Sequence, residues 1–313
     1  MEQRPFGAAG ELVSAIGFGA APLGGEYGGL DDEAATRAVQ RALDLGVNVF
    51  DTSPYYGRTL SETRLGKGLA GRRSETFLIT KCGRYDTAQF DFSPARVATS
   101  VTESLTRLQT DHVDLLIAHD VEFGDLARIE QETLPALVKE RDAGRARYIG
   151  VSGYPVPVLM QLMRAFPVDA VLTYCHYDLL STDAAPLIEL ADERGVAVIN
   201  GSTLHMGVLT EAGAPEWHPA PEAVKAAGRA IASLCRARGR EVVEVALRFA
   251  LDLPGVACTL VGMKSEAEVA SNVAVLERAS DPALLAEIAA LVAPVRDLAW
   301  PSGRWAPPTP PTG

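Results

Sequence analysis

The chain reads as an α/β protein whose parallel strands close on themselves, a (β/α)8 barrel, and three observations lead there. Short apolar runs alternate with amphipathic helical stretches along nearly the whole length, as βαβ units do. Eight such runs are present, at 15–20, 47–52, 76–81, 113–119, 147–152, 170–174, 197–201 and 256–261. The side chains able to do chemistry fall at the C-terminal ends of several different runs, where a closed TIM barrel gathers them and an open doubly wound sheet does not.

The helical stretches between the runs follow in order. Over 32–45, Ala35, Ala38, Val39, Ala42 and Leu45 form one apolar stripe and Gly46 stops the helix. The segments 93–108, 126–141, 155–165, 185–194, 222–250 (long enough for two helices) and 266–276 repeat that pattern. No Pro/Gly linker interrupts the alternation, so residues 1–305 are expected to form one barrel domain. The closing residues 306–313, rich in proline and poor in apolar side chains, are expected not to pack.

Composition narrows the function. A net charge of −11 disfavours nucleic acid and anionic membranes as partners, because both are bound through concentrated Lys and Arg. No stretch approaches the ~18 uninterrupted apolar residues of a membrane helix, and the first residues lack the pattern of a secretory signal. The four cysteines, Cys82, Cys175, Cys235 and Cys258, show neither disulfide nor metal spacing, so a reduced, cytoplasmic chain without a metal is expected. Cys82 follows Lys81 directly and is either redox-sensitive or a buried inert thiol. Gly17 and Gly19 begin like a dinucleotide-binding fingerprint, but Pro22 stands where its third glycine belongs and the next helix starts too late.

Four strand-end side chains carry the chemistry: Asp51 and Tyr56 in FDTSPYYG, Lys81 in FLITKCG and His119 in DLLIAHD. A phenol with an ordinary pKa near ~10 moves protons poorly at neutral pH unless a cation favours its anion. Lys81 can supply that cation, Asp51 can keep it charged, and His119 can hydrogen-bond a reacting oxygen. Taken singly, each has a structural explanation, as a strand-end cap, a rim aromatic, a snorkelling lysine or a core histidine. Together, a Lys and an Asp ending adjacent strands would be unpaired charges in a half-buried cleft unless they served each other.

These segments, with IGVSG closing the fifth run, resemble the aldo-keto reductase superfamily, barrels that bind nicotinamide cofactors without a Rossmann domain. FGAAPLGGEYG, TKCGRYD, HDVEFGDL, TYCHYDLL, GAPEWHPAP, LVGMKSEAEV and WPSG are similar to its branch of L-galactose and D-threo-aldose (L-fucose) 1-dehydrogenases, over a span from Phe6 to about Gly303. The resemblance implies Tyr56 as proton donor or acceptor, Lys81 and Asp51 tuning it, and His119 orienting the substrate oxygen. It places Ser152 against the nicotinamide amide, with Gly153 in place of the usual Asn, Tyr174 in place of a Gln and Gly201 in place of a stacking aromatic. Ser202 and Leu204 belong to the same implied cofactor wall.

Where NADP-dependent relatives offer Lys, Ser and Arg to the 2′-phosphate, alignment on Asn272 puts Gly262, Met263 and Glu268 here. Glu268 would repel a phosphate and accept a hydrogen bond from a 2′-hydroxyl, although Lys264 is a nearby cation, so NAD is expected over NADP. Sugar contacts are expected from Tyr55, Glu122, Tyr154, His176, Tyr177, Trp217, His218 and Trp300. The activity implied is oxidation of the anomeric hydroxyl of a free aldose of the L-galactose, L-fucose or D-arabinose type to its lactone, by a monomer or small homo-oligomer. The alternatives are an NADPH-dependent carbonyl reductase, a dehydrogenase of another cyclic hemiacetal such as pyridoxal, and a cofactor-sensing regulatory subunit.

Overall fold

The computed structural model describes residues 1–25 and 27–308. Glu26 and residues 309–313, which include most of the Pro-rich tail, lie outside the described residues. The chain opens with an antiparallel hairpin, β1 (Gln3–Phe6) and β2 (Glu11–Ser14). Strands and helices then alternate: β3 (Ile16–Gly19), α1 (Asp32–Asp44), β4 (Val49–Asp51), α2 (Leu60–Gly68), β5 (Phe77–Cys82) and α3 (Pro94–Leu108). Next come β6 (Val113–Ala118), α4 (Leu126–Arg128), a π turn (Ile129–Thr133), α5 (Leu134–Asp142), β7 (Ala146–Gly153) and α6 (Val156–Ala165). The rest is β8 (Ala170–Tyr174), α7 (Ala185–Arg194), β9 (Ala197–Gly201), α8 (Glu222–Ala237), α9 (Val242–Leu251), β10 (Cys258–Gly262), α10 (Glu266–Ala274) and α11 (Pro282–Val292).

Strands β3 to β10 form a closed parallel barrel, a TIM barrel, matching the eight apolar runs of the sequence. Closure comes from β10, which sets Thr259 opposite Ile16 on one side and Cys258 opposite Ile199 on the other. Every residue of β5 and β6 is buried, which is why these strands read as mainly apolar runs, interrupted only by Thr80, Lys81 and Asp114, rather than as alternation. The long helical stretch 222–250 divides into α8 and α9, and the expected helix 126–141 is interrupted by the π turn.

Two kinds of apolar layer hold the fold. Aliphatic side chains such as Val49, Ile79, Leu115, Ile117, Ile199 and Leu260 fill the barrel interior, and Phe6 and Val13 of the hairpin join them. The Phe6 ring lies 4.7 Å from that of Phe77 and 5.2 Å from that of Tyr148, so the hairpin seals the N-terminal end of the barrel. Outside, the strands pack on α1, α3, α5 and α6 through residues such as Val39, Val101, Leu137 and Leu162. Chemistry is left to the other end. Among the described residues no helix is long and apolar enough to cross a membrane.

Candidate active site

Three neighbouring strands carry three charged or polar side chains to the open end: Asp51 ends β4, Lys81 lies one residue before the end of β5, and His119 follows β6. The parallel register places Asp51 beside Ile79 and Lys81 beside Ile117, so the side chains converge as the strands do. Lys81 Nζ donates to Asp51 Oδ1 and Oδ2 at 2.8 and 2.7 Å and to the Thr52 carbonyl at 2.7 Å. Its contact with Tyr56 Oη is longer, 3.3 Å. The ammonium and carboxylate are both buried, so neither charge would be tolerated without the other.

Tyr56 sits on the loop after β4, and two glycines fix that loop. Gly57 takes φ +59°, and a Cβ there would meet Gly24 Cα at 2.4 Å. This contact clamps the loop to the turn Ala21–Gly24 that follows β3. The Tyr56 amide donates to the Ser53 carbonyl at 3.1 Å, and its ring stands edge-on to His119 at 5.8 Å.

Electrostatics correct one expectation. Burial, followed by the negative charges of Asp51 and Asp120, pushes the Tyr56 phenol well above its ordinary value, with Arg84 pulling the other way. Lys81 was expected to lower it. Its donors, however, are directed to Asp51 and Thr52, so its charge is already matched before it reaches the phenol. Burial likewise draws Asp51 above and Lys81 below their ordinary values, each restrained by the other. Tyr56 therefore holds its proton in the chain by itself.

His119 is neutral, because burial lowers its pKa to about 3 against the pull of Asp120. Ser53 Oγ lies 3.1 Å from Nδ1 and already accepts from the Tyr55 amide at 3.1 Å. Its hydroxyl proton is thus free for Nδ1, which leaves the ring proton on Nε2. That nitrogen is 3.6 Å from Asp120 Oδ2. Asp120 in turn pairs with Arg84 Nη1, and the Arg84 guanidinium lies 3.8 Å above the Tyr55 ring. Ser53, Asp120 and Arg84 were not among the residues picked out from sequence. The available signal was an opposite pair of charges, each just beyond a barrel strand, in TKCGRYD and HDVEFGDL.

Four expected sugar contacts form a second cluster on the mouth. Tyr154 stacks on Trp300 at 4.3 Å and lies 4.6 Å from His176, whose Nδ1 is 2.6 Å from Asp183 Oδ1. Glu122 Oε1 accepts from the Tyr154 amide at 3.1 Å and from Ser302 Oγ at 2.8 Å, which pins the C-terminal segment to the rim. A Cβ on Gly153 would lie 2.6 Å from Glu122 Oε2, so the carboxyl group fills the space a larger residue would need. Burial, then the Asp120 charge, raises Glu122 to about 7. Of the other candidates, Tyr55 lies 6.0 Å from His119 and His218 5.6 Å from Trp300, while Trp217 and Tyr177 lie farther out. Trp217 is 53% exposed and packs on His218, whose Nε2 donates to the His205 carbonyl, while Tyr177 stacks on Phe249.

Among the expected cofactor contacts, Ser152 is buried at the end of β7, where its Oγ accepts from the Asp120 amide at 3.4 Å. Tyr174 and Gly201 are register partners, and Ser202 follows with φ +54°. Leu204 packs against the surrounding apolar clusters. Gly262 is exposed at the end of β10, but the Met263 side chain is wholly buried in the core, so only its main chain could face a ligand. Glu268 Oε2 accepts from the Lys264 amide at 2.8 Å, Lys264 Nζ reaches the Tyr27 carbonyl at 2.5 Å, and Asn272 is buried on α10. Cys82 is a buried thiol raised by burial to about 12, the inert alternative of the two. Among the described residues no group of three or more His, Cys, Asp or Glu is placed to hold a metal ion.

Comparison with known proteins adds to this geometry. A family model described as the aldo/keto reductase family matches residues 15–293. The chain is 44% identical to L-galactose dehydrogenase of Arabidopsis thaliana, covering 97% of this chain and 98% of that protein. It is 29% identical to D-threo-aldose 1-dehydrogenase of Pseudomonas sp, covering 85% and 90%. D-arabinose 1-dehydrogenase of Saccharomyces cerevisiae is 31% identical over 68% of this chain and 67% of its own. Among solved structures, the holo form of aldo-keto reductase AKR11C1 from Bacillus halodurans superposes with a TM-score of 0.79 at 27% identity, covering 97% of this chain and 100% of that one.

Proposed function

The chain belongs to the aldo/keto reductase family and is an oxidoreductase of that type, and from this premise we propose that it oxidises the anomeric hydroxyl of a free aldose to the lactone, with NAD as acceptor. The observation that carries the reading is Lys81 Nζ held between the Asp51 carboxylate and the Tyr56 hydroxyl, with neutral His119 alongside. The relatives named for acting on L-galactose, D-threo-aldoses and D-arabinose supply the substrate class.

In this mechanism the C1 hydroxyl lies between Tyr56 Oη and His119 Nε2. Tyr56, once ionised to the phenolate, takes the hydroxyl proton, His119 steadies the oxygen as it becomes a carbonyl, and Asp51 keeps Lys81 charged throughout. A bound oxidised nicotinamide supplies the acceptor for the hydrogen and electron pair leaving C1. Ser152, Tyr174, Gly201 and Ser202 would hold its ring end, and Gly262, Lys264 and the first turn of α10 its phosphate end.

Two observations support that seating. Thr203 Oγ1, just past the end of β9, is buried with no hydrogen-bond partner among the described residues, as suits a group bringing its own amide. Among the described residues the first-turn amides of α10 meet only the Ser265 cap on the Glu268 amide, although Glu266 and Glu268 place carboxylates on that turn. Glu268 beside that turn favours a ribose hydroxyl over a 2′-phosphate.

A second reading follows from the raised phenol. A Tyr56 that keeps its proton is also suited to donate it, the direction of carbonyl reduction. One assay separates the two: initial rates with L-galactose, L-fucose, D-arabinose and pyridoxal, using NAD and NADP in parallel. Aldose oxidation preferring NAD supports the proposal; a preference for NADP, or turnover confined to carbonyl reduction, overturns it. A cytoplasmic location accords with the four free, buried cysteines.

A further inference from the structure

We propose that Asp120 and Arg84 form the receptor for the hydroxyl on the carbon next to the reacting one, so that this site selects aldoses by the presence and configuration of their C2 hydroxyl. The inference rests on the sugar-oxidising reading above and adds residues to it.

The first support is spacing. Asp120 Oδ2 stands 3.6 Å from His119 Nε2, the group assigned to the C1 oxygen. Two polar atoms that close can engage two oxygens on neighbouring ring carbons, one each. A substrate held by His119 at C1 thus brings its C2 oxygen to the carboxylate and guanidinium.

Unspent bonding capacity is the second. Asp120 Oδ1 and Arg84 Nε are buried, and neither has a hydrogen-bond partner among the described residues. One is an acceptor and the other a donor, the complement of a hydroxyl, which both gives and takes a hydrogen bond. Buried polar groups left unmatched are costly, and a ligand hydroxyl would relieve that cost on binding. Burial opposes ionisation of Asp120, yet its charged neighbours, Arg84 among them, hold its carboxyl below the ordinary value, so it stays an acceptor.

The third is rigidity. The Arg84 guanidinium lies 3.8 Å over Tyr55 and 5.4 and 5.3 Å from Phe90 and Phe123, two rings stacked at 4.4 Å. Aromatic faces on several sides fix the guanidinium plane before any substrate arrives. Asp120 takes φ +52°, a conformation non-glycine residues adopt at some cost, and its carboxylate meets both Arg84 and His119. Among the described residues neither hydrogen-bonds to Lys81 or Tyr56, so the pair acts on the phenol through its charges and not by direct contact.

The test compares D-arabinose, D-ribose, in which C2 is inverted, and 2-deoxy-D-ribose, in which that hydroxyl is absent. For the unaltered protein, kcat/KM for D-arabinose should exceed both others by at least about 10²-fold, a conservative floor beneath the ~10⁴–10⁵-fold by which a site built for a hydroxyl can reject an analogue lacking it. In the double variant Arg84→Met, Asp120→Asn, which leaves no unpaired buried charge, the three values should fall within about tenfold of one another. NADH binding, followed by fluorescence, should not change.

Equal rates on all three sugars by the unaltered protein overturn the proposal without any variant. So does a double variant that slows every sugar by one common factor, the mark of a purely structural pair. No turnover of any aldose by a protein that still binds NADH overturns the sugar-oxidising reading itself.

Discussion

Lys81 directs its strong hydrogen bonds at Asp51 and the Thr52 carbonyl, and that division decides what Tyr56 can do. The phenol keeps its proton until another positive charge enters, and an oxidised nicotinamide is such a charge. The rate of oxidation should therefore climb with pH into the alkaline range, where the phenolate becomes populated. A profile flat from about pH 6 to about 10 would remove Tyr56 from the role of base. Tyr56→Phe should lower turnover by roughly 10²–10⁴-fold or more while dinucleotide binding, read by fluorescence titration, is retained. Asp51, Tyr56, Lys81 and His119 were legible in sequence because each follows an apolar run at a fixed offset. Asp120 and Arg84 were not, because an ion pair between two loops is a tertiary fact that neither loop contains alone. Met263 looked available beside Gly262, and only the core packed behind β10 shows where its side chain goes.

At the scale of elements, the barrel strands were visible because both faces are covered along most of their length, which writes a largely apolar run into the chain. The hairpin β1 and β2 escaped for the opposite reason: its strands are short and half polar, with buried positions limited to Phe6, Val13 and Ser14. Helix α2 escaped as well, since Ser61, Glu62, Arg64, Gly66 and Gly68 are all buried and leave no apolar stripe to find. Its glycines are there for contact, not for turning. A Cβ on Gly66 would lie 2.4 Å from the Arg107 carbonyl oxygen at the end of α3. An ordinary helical Gly→Ala gains roughly 0.5–1 kcal/mol, but Gly66→Ala should lose roughly 1–3 kcal/mol through overpacking. Chemical denaturation decides the sign, and a stabilised variant would mean that the α2–α3 contact yields easily. α11 closes the series, added after the eighth strand–helix unit.

For the molecule as a whole, two buried groups tie stability to pH in opposite senses. His119 has a pKa of about 3 in the fold against 6.5 ordinarily. Below pH 6.5 the unfolded chain binds a proton that the native one refuses, so stability falls with pH, by roughly 1.4 kcal/mol per pH unit from this group, until about pH 3. Glu122, raised to about 7 from 4.5, keeps a proton that the unfolded chain releases, so its contribution is lost as pH rises between those values. The two slopes oppose between 4.5 and 6.5, and below 4.5 Glu122 no longer offsets His119. His218, lowered by burial to about 4, adds a second slope of the histidine sign, so the urea midpoint should fall gently as pH drops across that window and steeply beneath it. A midpoint unchanged at pH 4 would mean that His119 accepts a proton in the native protein.

The hairpin's Phe6, wedged against Phe77 and Tyr148, has a bearing on kinetics as well. A vessel stoppered at its base and filled with aliphatic side chains offers no through-passage, so both reactants must come and go by a single doorway. On the proposed reading, the larger and deeper-lying of the two is expected to enter first and depart last, so that the queue at the entrance bears on how fast the enzyme cycles.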